Sequence, residues 1–339
     1  MHAPKATSML PFPVSSSILS ATHLAGFVQS RYLLSSNTVC RLIKTGINHS
    51  YLITDGEDKF VFRVYSLNWR SVTEIGEEIA LLNNLKEHHI PVSYPIEDST
   101  KSYIQDIPAP EGKRYGVLFS YAPGEKMYSY STDIHFRLGK AMAKMHLVTR
   151  DQHINRVTYN ADVLLENAVE RIKPFIDNNA EEFIYLEKLK TYLVSQLGGL
   201  STSTLRKGIV HTDIWYDNMH FDSNGDVIFF DFDFCGNGWL ALDIAYYVIQ
   251  LHKIEKEENE YQLKLKSFLD GYESITPISE EEKSAIPVLG VSVFIFFLGI
   301  QGHRYDNWSN VFLNEIYLKL FINLLIKRWN NYHQLPIGN

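Results

Sequence analysis

The sequence has few cysteines, no long run of one charge and no leader-like start, and each lack removes a class of protein. Cys40 and Cys235 are its only cysteines in 339 residues, far apart and without metal-ligand spacing. That excludes a disulfide framework and points to reduced, cytoplasmic chemistry. The 32 Lys and Arg against 39 Asp and Glu leave a net charge of −7 and no basic tract, so no nucleic-acid partner is expected. The start, MHAPKATSMLPFPVSSSILS, is broken by Pro11 and Pro13 and has no charged head before an apolar stretch. It is not read as a signal peptide. The apolar run AIPVLGVSVFIFFLGI (285–300) is shorter than the roughly 20 residues that span a bilayer, which predicts a buried core helix and no membrane partner. Internal repeats and low-complexity tracts are also lacking.

What is present suits one large or two modest globular domains. Apolar residues make up 45% of the chain and aromatics 13%, mostly Tyr and Phe, so bulky side chains carry much of the core. A loose arm and a short helix, ATHLAGFVQSRY, occupy 1–35. Asp55-Gly56 marks a hairpin between strand-like runs. Ile75, Ile79, Leu82 and Leu85 recur at helical spacing over 70–88. IPVSYPIED and SYIQDIPAPEGKRYGVLFSYAPGE predict two or three further strands. After 122 the pattern turns helical: DIHFRLGKAMAKMHLVTRD places Leu138, Met142 and Met145 or His146 on one face. Met127, Met142 and Met145 are expected in the core. The fold class expected is α+β, with a β lobe over 36–122 containing one helix and a mainly helical lobe over 123–339.

Between the helical blocks lies GIVHTDIWYDNMHF (208–221), followed by VIFFDFDF (227–234). Asp213 precedes Asn218 by five positions, and Asp231 follows thirteen later. A carboxylate, an amide and a second carboxylate form an oxygen set suited to Mg²⁺ and not to zinc. Asn218 and Asp231 suffice as ligands if ATP phosphates complete the shell. Asp213 is then free to accept the proton of an attacking hydroxyl. The spacing H-x-D-x-x-x-x-N followed by a metal Asp is that of a kinase catalytic loop.

These residues resemble the H-G-D-x-x-x-x-N and I-D-x pair of the aminoglycoside phosphotransferase, choline kinase and homoserine kinase superfamily. WLALDIAYYVIQL is similar to its D-L-A helix, and FLDGYESITPISEEEKSAIP to its G-Y segment. The resemblance spans about 35–330. It implies a protein-kinase-like two-lobe fold and transfer of phosphate from ATP, with Mg²⁺, to small-molecule hydroxyls. It also implies that Asp243 ties the catalytic loop down and that the first lobe supplies the nucleotide site. In KFVFRVY, Val61, Arg63 and Tyr65 share a strand face. Val61 fits an adenine roof and Arg63 a phosphate clamp, since arginine binds phosphate through two donors. Its partner is a Glu of the next helix, Glu74 or Glu78, and the family pattern E-x-x-L-L favours Glu78. The turn GINHSY (46–51) would offer the N–H groups of Asn48, His49 and Ser50 to phosphates. Backbone groups near Ser120 and Ala122 would meet the adenine edge.

On the acceptor side the candidates are Asp233, Trp215 and Tyr305, with Asp233 equally open to binding the cation or capping the next segment. His211 reads as a brace and Asp217 as a solvated or capping residue. Acidic Asp217, Asp233 and Asp306 near aromatics suit an amine-bearing alcohol or amino sugar. Thr212 stands where regulated protein kinases carry Arg, and CGNGWLALD leaves no room for a long activation segment, which favours constitutive action on a small molecule. The alternatives are a protein Ser/Thr kinase of the same superfamily, a non-catalytic pseudokinase (HTD replaces HGD), and a dehalogenase-type phosphohydrolase using Asp231 and Asp233.

Overall fold

The computed structural model describes residues 12–126, 130–201 and 205–336. The chain divides into two compact units, Met1–Val72 with Ile96–Leu118, and Thr73–Pro95 with Phe119–Asn339. Antiparallel strands dominate the first unit and helices the second, an α+β fold.

The first unit is built on a helix and a sheet. The helix α1 (Ala21–Tyr32) is capped by Ser20, whose side chain accepts from His23 N–H, and it ends at Leu33 in the left-handed region. The strands β1 (Val39–Thr45), β2 (His49–Asp55), β3 (Asp58–Val64), β4 (Ile104–Ala109) and β5 (Gly112–Ser120) form one sheet in the order β1-β2-β3-β5-β4. The Asp55-Gly56 signal turns β2 into β3, with Gly56 at φ 63. Tyr51, Ile53, Phe62 and Val64 form one core with Leu24 and Val28 of α1. The helix expected in a separate arm over 1–35 is therefore part of this core. Residues 1–11 of that arm lie outside the described residues.

The second unit begins at Thr73, within the first turn of α2 (Val72–Glu87), whose Ile75, Ile79, Leu82 and Leu85 are buried as their spacing predicts. The segment 73–95 thus groups with the helical unit, whereas the expected boundaries placed it in the β lobe. The run expected to be a strand at 90–98 makes only isolated bridges, Val92 with Phe229 and Pro95 with Phe119. Pro91 and Pro95 lack the N–H a ladder needs. The main-chain bonds from Phe229 N–H to Pro91 O and from Ser93 N–H to Phe229 O tie this segment to the helical unit.

Helix α3 (Thr132–Thr149) buries Leu138, Met142, Met145 and His146 together; Met127 lies outside the described residues. It packs on α7 (Glu258–Glu273) at glycines on both sides. A Cβ on Gly139 would sit 2.0 Å from Phe268 O, and one on Gly271 would sit 2.0 Å from Phe136 O. After α4 (Asn167–Ile172) and α5 (Glu181–Ser201), two short antiparallel sheets carry the chemistry-bearing segments: β6 (Lys207–Val210) pairs with β9 (Gly236–Trp239), and between them β7 (Met219–Phe221) and β8 (Val227–Phe229) form a hairpin. No strand follows β9 among the described residues, and the regular elements there are helical, including α6 (Ala241–Ile254), α8 (Glu280–His303), α9 (Glu315–Phe321) and α10 (Lys327–Tyr332). An antiparallel hairpin followed by helices is not the strand–helix alternation that the dehalogenase alternative requires.

Helix α8 corrects the length argument made from 285–300. It runs for 24 residues and is long and apolar enough to cross a membrane, but 78% of its most apolar window is buried inside the protein. Burial, not shortness, identifies it as a core helix.

Candidate active site

Strand β6 delivers the chain to His211, and the next residues are held from below by one buried carboxylate. Asp243 Oδ2 accepts from His211 N–H at 2.9 Å, and Oδ1 accepts from Thr212 N–H at 2.6 Å. His146 Nε2 meets Oδ2 at 3.1 Å, and the Tyr272 hydroxyl reaches His146 Nδ1 at 2.8 Å. Asp243 is fully buried, and these donors compensate the loss of water. Gly271 and Tyr272 of the G-Y segment thus have distinct tasks: close helix packing, and a hydrogen bond that orients His146.

His211 is the brace expected of it. Its Nδ1 accepts from Asp213 N–H at 3.2 Å and its Nε2 donates to Phe230 O at 3.2 Å. Burial pushes the imidazole pKa below its usual value, so the neutral ring keeps one donor and one acceptor. Thr212 stands at φ 62. For a β-branched residue that backbone is strained, at a cost of about 1–3 kcal/mol. Its hydroxyl offsets the strain, lying 2.9 Å from Phe234 O and 3.2 Å from the Tyr159 hydroxyl. Glycine would take this backbone without strain but could not make those bonds.

The Asp213 carboxylate is gripped at both oxygens. Asn218 Nδ2 donates to Oδ2 at 2.7 Å and to the Asp213 carbonyl at 3.0 Å, and the Tyr246 hydroxyl donates to Oδ1 at 2.9 Å. Burial, reinforced by the Asp213 charge, raises the Tyr246 phenol well above its ordinary pKa, so it remains a donor. With Nδ2 turned to Asp213, the Asn218 Oδ1 points the other way. Phe230 N–H donates to Asn218 O at 3.1 Å, continuing the β7–β8 register. Phe230 thus lies opposite Asn218, and Asp231 is the next residue along the chain. It stands at φ 65, a second left-handed non-glycine residue in the site.

The remaining expected residues are placed as follows. Asp217 is not simply solvated: it pairs with Lys126 at 3.1 Å, both partners about one-third exposed. Asp233 is buried and Asp306 exposed. Trp215 is half-buried, with Lys253 Nζ 5.9 Å from its ring centre. Tyr305 packs against Phe175, ring centres 4.6 Å apart. Glu78 is buried and meets Arg156 at 3.6 Å, a partner that spacing did not suggest.

In the sheet unit, Phe62 and Val64 face the core. Arg63 lies on the other face, its guanidinium 5.8 Å from the Tyr65 ring centre, with Val61 half-buried on that face. The turn is narrower than GINHSY. Gly46–Asn48 form it, while His49 and Ser50 belong to β2, paired with Val64 and Arg63. Of the three expected turn donors, only Asn48 sits in the turn. Its side chain accepts from Ser66 N–H at 3.2 Å. The buried His49 ring lies 3.5 Å from Arg114 Nη2, and burial and that charge lower its pKa to about 4.

The backbone expected at an adenine edge is partly committed. Ser120 N–H donates to Tyr94 O, Ser120 O accepts from Ser93 Oγ, and Ala122 O lies 2.7 Å from His220 Nδ1. The Ala122 N–H is the group of these that has no acceptor among the described residues.

Sequence reasoning missed Tyr246, His146, Tyr272 and Arg156. Tyr246 had a signal: it lies three positions after Asp243 on one helix and so shares its side. The other three are brought in by long-range packing.

The sequence profile of the phosphotransferase enzyme family matches residues 39–278. Homoserine kinase of Methylobacillus glycogenes is 26% identical over 260 residues, covering 76% of this chain and 77% of that one. Two solved structures share the fold at 20% identity and a TM-score of 0.76 each. One is the amicoumacin kinase hAmiN in complex with AMP-PNP, Ca²⁺ and Ami, covering 94% of this chain and 95% of that one. The other is the microcompartment-associated aminopropanol kinase, covering 94% and 100%. The fold is kinase-like, and the chain belongs to the phosphotransferase enzyme family.

Proposed function

We propose that this protein transfers the γ-phosphoryl group of ATP to a hydroxyl of a small amine-bearing alcohol or amino sugar, in the cytoplasm and with Mg²⁺. The observation that carries the reading is the Asp213 carboxylate, held at Oδ1 by Tyr246 and at Oδ2 by Asn218 on a loop whose amides are fixed by Asp243. Such a carboxylate is oriented to accept a proton from a hydroxyl without reorganising. The hydroxyl oxygen forms its bond to the γ-phosphorus as the bond to the β–γ bridging oxygen breaks. ADP leaves, and the proton goes to Asp213.

The residues present fit a hard divalent cation. Asn218 Oδ1 and the Asp231 carboxylate are oxygen donors at the two strand ends of the β7–β8 hairpin, a set that takes Mg²⁺ when phosphate oxygens and water complete the shell. When bound, the cation would neutralise charge on the transferring phosphates. Arg63 is proposed to hold nucleotide phosphates, with Val61 over the base, Asn48 at the phosphate turn and the Ala122 N–H at the base edge. The hAmiN complex, with AMP-PNP and Ca²⁺, supports a nucleotide and a divalent ion. The names homoserine kinase and aminopropanol kinase support an acceptor carrying both an amine and a hydroxyl. Asp233, Trp215 and Tyr305 are proposed on the acceptor side.

The test is ADP release with ATP and Mg²⁺ against amino alcohols, amino sugars, neutral sugars and a protein substrate, with Asp231→Ala in parallel. Turnover of an amino alcohol or amino sugar, lost with Asp231→Ala, is expected. Turnover confined to neutral sugars or protein would overturn the acceptor class, and unchanged cation-dependent ATP affinity in Asp231→Ala would overturn the cation site.

A further inference from the structure

Arg156 belongs to no motif, yet it touches the turn that follows Asp231 and the middle of α2. Its guanidinium lies 3.6 Å from Glu78 Oε2 and donates to Cys235 Sγ at 3.2 Å and to the Asp233 carbonyl. Both charged side chains are about 1% exposed. Removing such a pair from water is expensive, and burial of this kind is weak evidence of a purely stabilising role. A structural requirement on its position is the better explanation.

The segment around Arg156 is itself fixed. Asn237 Nδ2 donates to the carbonyls of Ile154 at 2.9 Å and Arg156 at 3.2 Å. Asn237 N–H bonds Val157 O, and Tyr159 N–H bonds Asn237 O, each at 2.8 Å. Three residues beyond Arg156, the Tyr159 hydroxyl donates to the Phe234 carbonyl. Successive carbonyls after Asp231 are therefore held by side chains from one clamped stretch. A left-handed aspartate persists only where its surroundings over-determine it, and these bonds over-determine Asp231 from its C-terminal side.

We infer that Arg156 is a positioning residue that couples Glu78 on α2 to the turn carrying Asp231 and so sets the affinity of the cation site. The inference rests on the proposed role of Asp231 as a cation ligand. Lysine at 156 would keep a charge near Glu78 but lose the planar fork that reaches Asp233 and Cys235 together. Glutamine at 78 would keep the volume and lose the charge.

The experiment compares wild type, Arg156→Lys, Glu78→Gln and Asp231→Asn in the full chain. It reads Mn²⁺ binding by electron paramagnetic resonance in the presence of AMP-PNP, the Mg²⁺ concentration for half-maximal turnover, and the melting temperature. Arg156→Lys is expected to weaken Mn²⁺ binding and raise half-saturating Mg²⁺ about tenfold, with kcat at saturating Mg²⁺ within a few-fold of wild type. Glu78→Gln should shift both in the same direction, by less. A lower melting temperature with unchanged Mn²⁺ binding in both variants would overturn the inference, since the pair would then serve folding alone. If Asp231→Asn also binds Mn²⁺ as wild type does, the cation-site reading itself has failed. If only Asp231→Asn is impaired, the reading stands and the coupling through Arg156 is rejected.

Discussion

The loop 211–218 of the helical unit and the turn 46–51 of the sheet unit were both expected to carry site residues, and the structure treats them differently. In the loop, Asp213, Asn218, Asp243 and His211 meet through side-chain bonds of 2.6–3.2 Å. In the turn, the expected donors are backbone groups, and two of the three residues belong to a strand. A site made of side chains must write particular residue types at particular spacings. A site made of main-chain N–H groups can be built from almost any residue, so it leaves little in the sequence.

The sharpest way to break this comparison is to delete one side chain from each. Asp213→Ala should lower kcat by about 10³-fold, the range for a lost general base, with a smaller change in the KM for ATP. Asn48→Ala removes the acceptor for Ser66 N–H and should cost about 1 kcal/mol of stability, with kcat within a few-fold of wild type. Steady-state kinetics with a melting curve separates the two. A kcat loss for Asn48→Ala approaching that of Asp213→Ala would mean that the turn, too, works through its side chains.

A milder pair of substitutions asks why a threonine occupies a left-handed position in the loop. Thr212→Val keeps the β-branch at φ 62 and removes the hydroxyl near Phe234 O and Tyr159. It should destabilise by about 1–3 kcal/mol, because buried polar partners lose a bond. Thr212→Gly also loses the hydroxyl but relieves the backbone strain, and should stay within about 1 kcal/mol of wild type. Urea unfolding decides between them. If glycine destabilises as much as valine does, the hydroxyl outweighs the strain and the two contributions do not offset each other.

Much of the fold was legible because it is written at short range. The run 21–32 is α1 as expected, and α2 and α3 bury the faces that helical spacing predicts. The Asp55-Gly56 signal makes the hairpin it should. The strand expected at 90–98 fails because β-like composition cannot supply the N–H groups that Pro91 and Pro95 lack. The partners of residues 73–95 were illegible for another reason: they lie far along the chain, as Arg156 does for Glu78 and Phe229 for Val92. The loop residues were readable from spacing, whereas His146 and Tyr272, which hold Asp243 in place, come together only through the packing of α3 on α7.

The mildest perturbation is a change of pH from 7 to 6, and it bears on the same contrast between the units. Burial lowers His49 in the sheet unit to about 4, and lowers His135, His252 and His333 in the helical unit to about 4 as well. The unfolded chain takes up these protons near pH 6.5. Between 6.5 and 4 the unfolded state thus binds more protons than the folded one, and stability rises with pH. The stability these neutral rings contribute is complete above 6.5 and is lost as pH falls towards 4. Three such groups lie in the helical unit against one among the described residues of the sheet unit. Hydrogen exchange, corrected for the intrinsic rate at each pH, should therefore show protection in α3, α6 and α10 (Lys327–Tyr332) falling more between pH 7 and 6 than protection in β2 and β3. An equal loss in both would mean that the buried histidines of the helical unit gain protons without opening it, and that its rigidity rests on the apolar core alone.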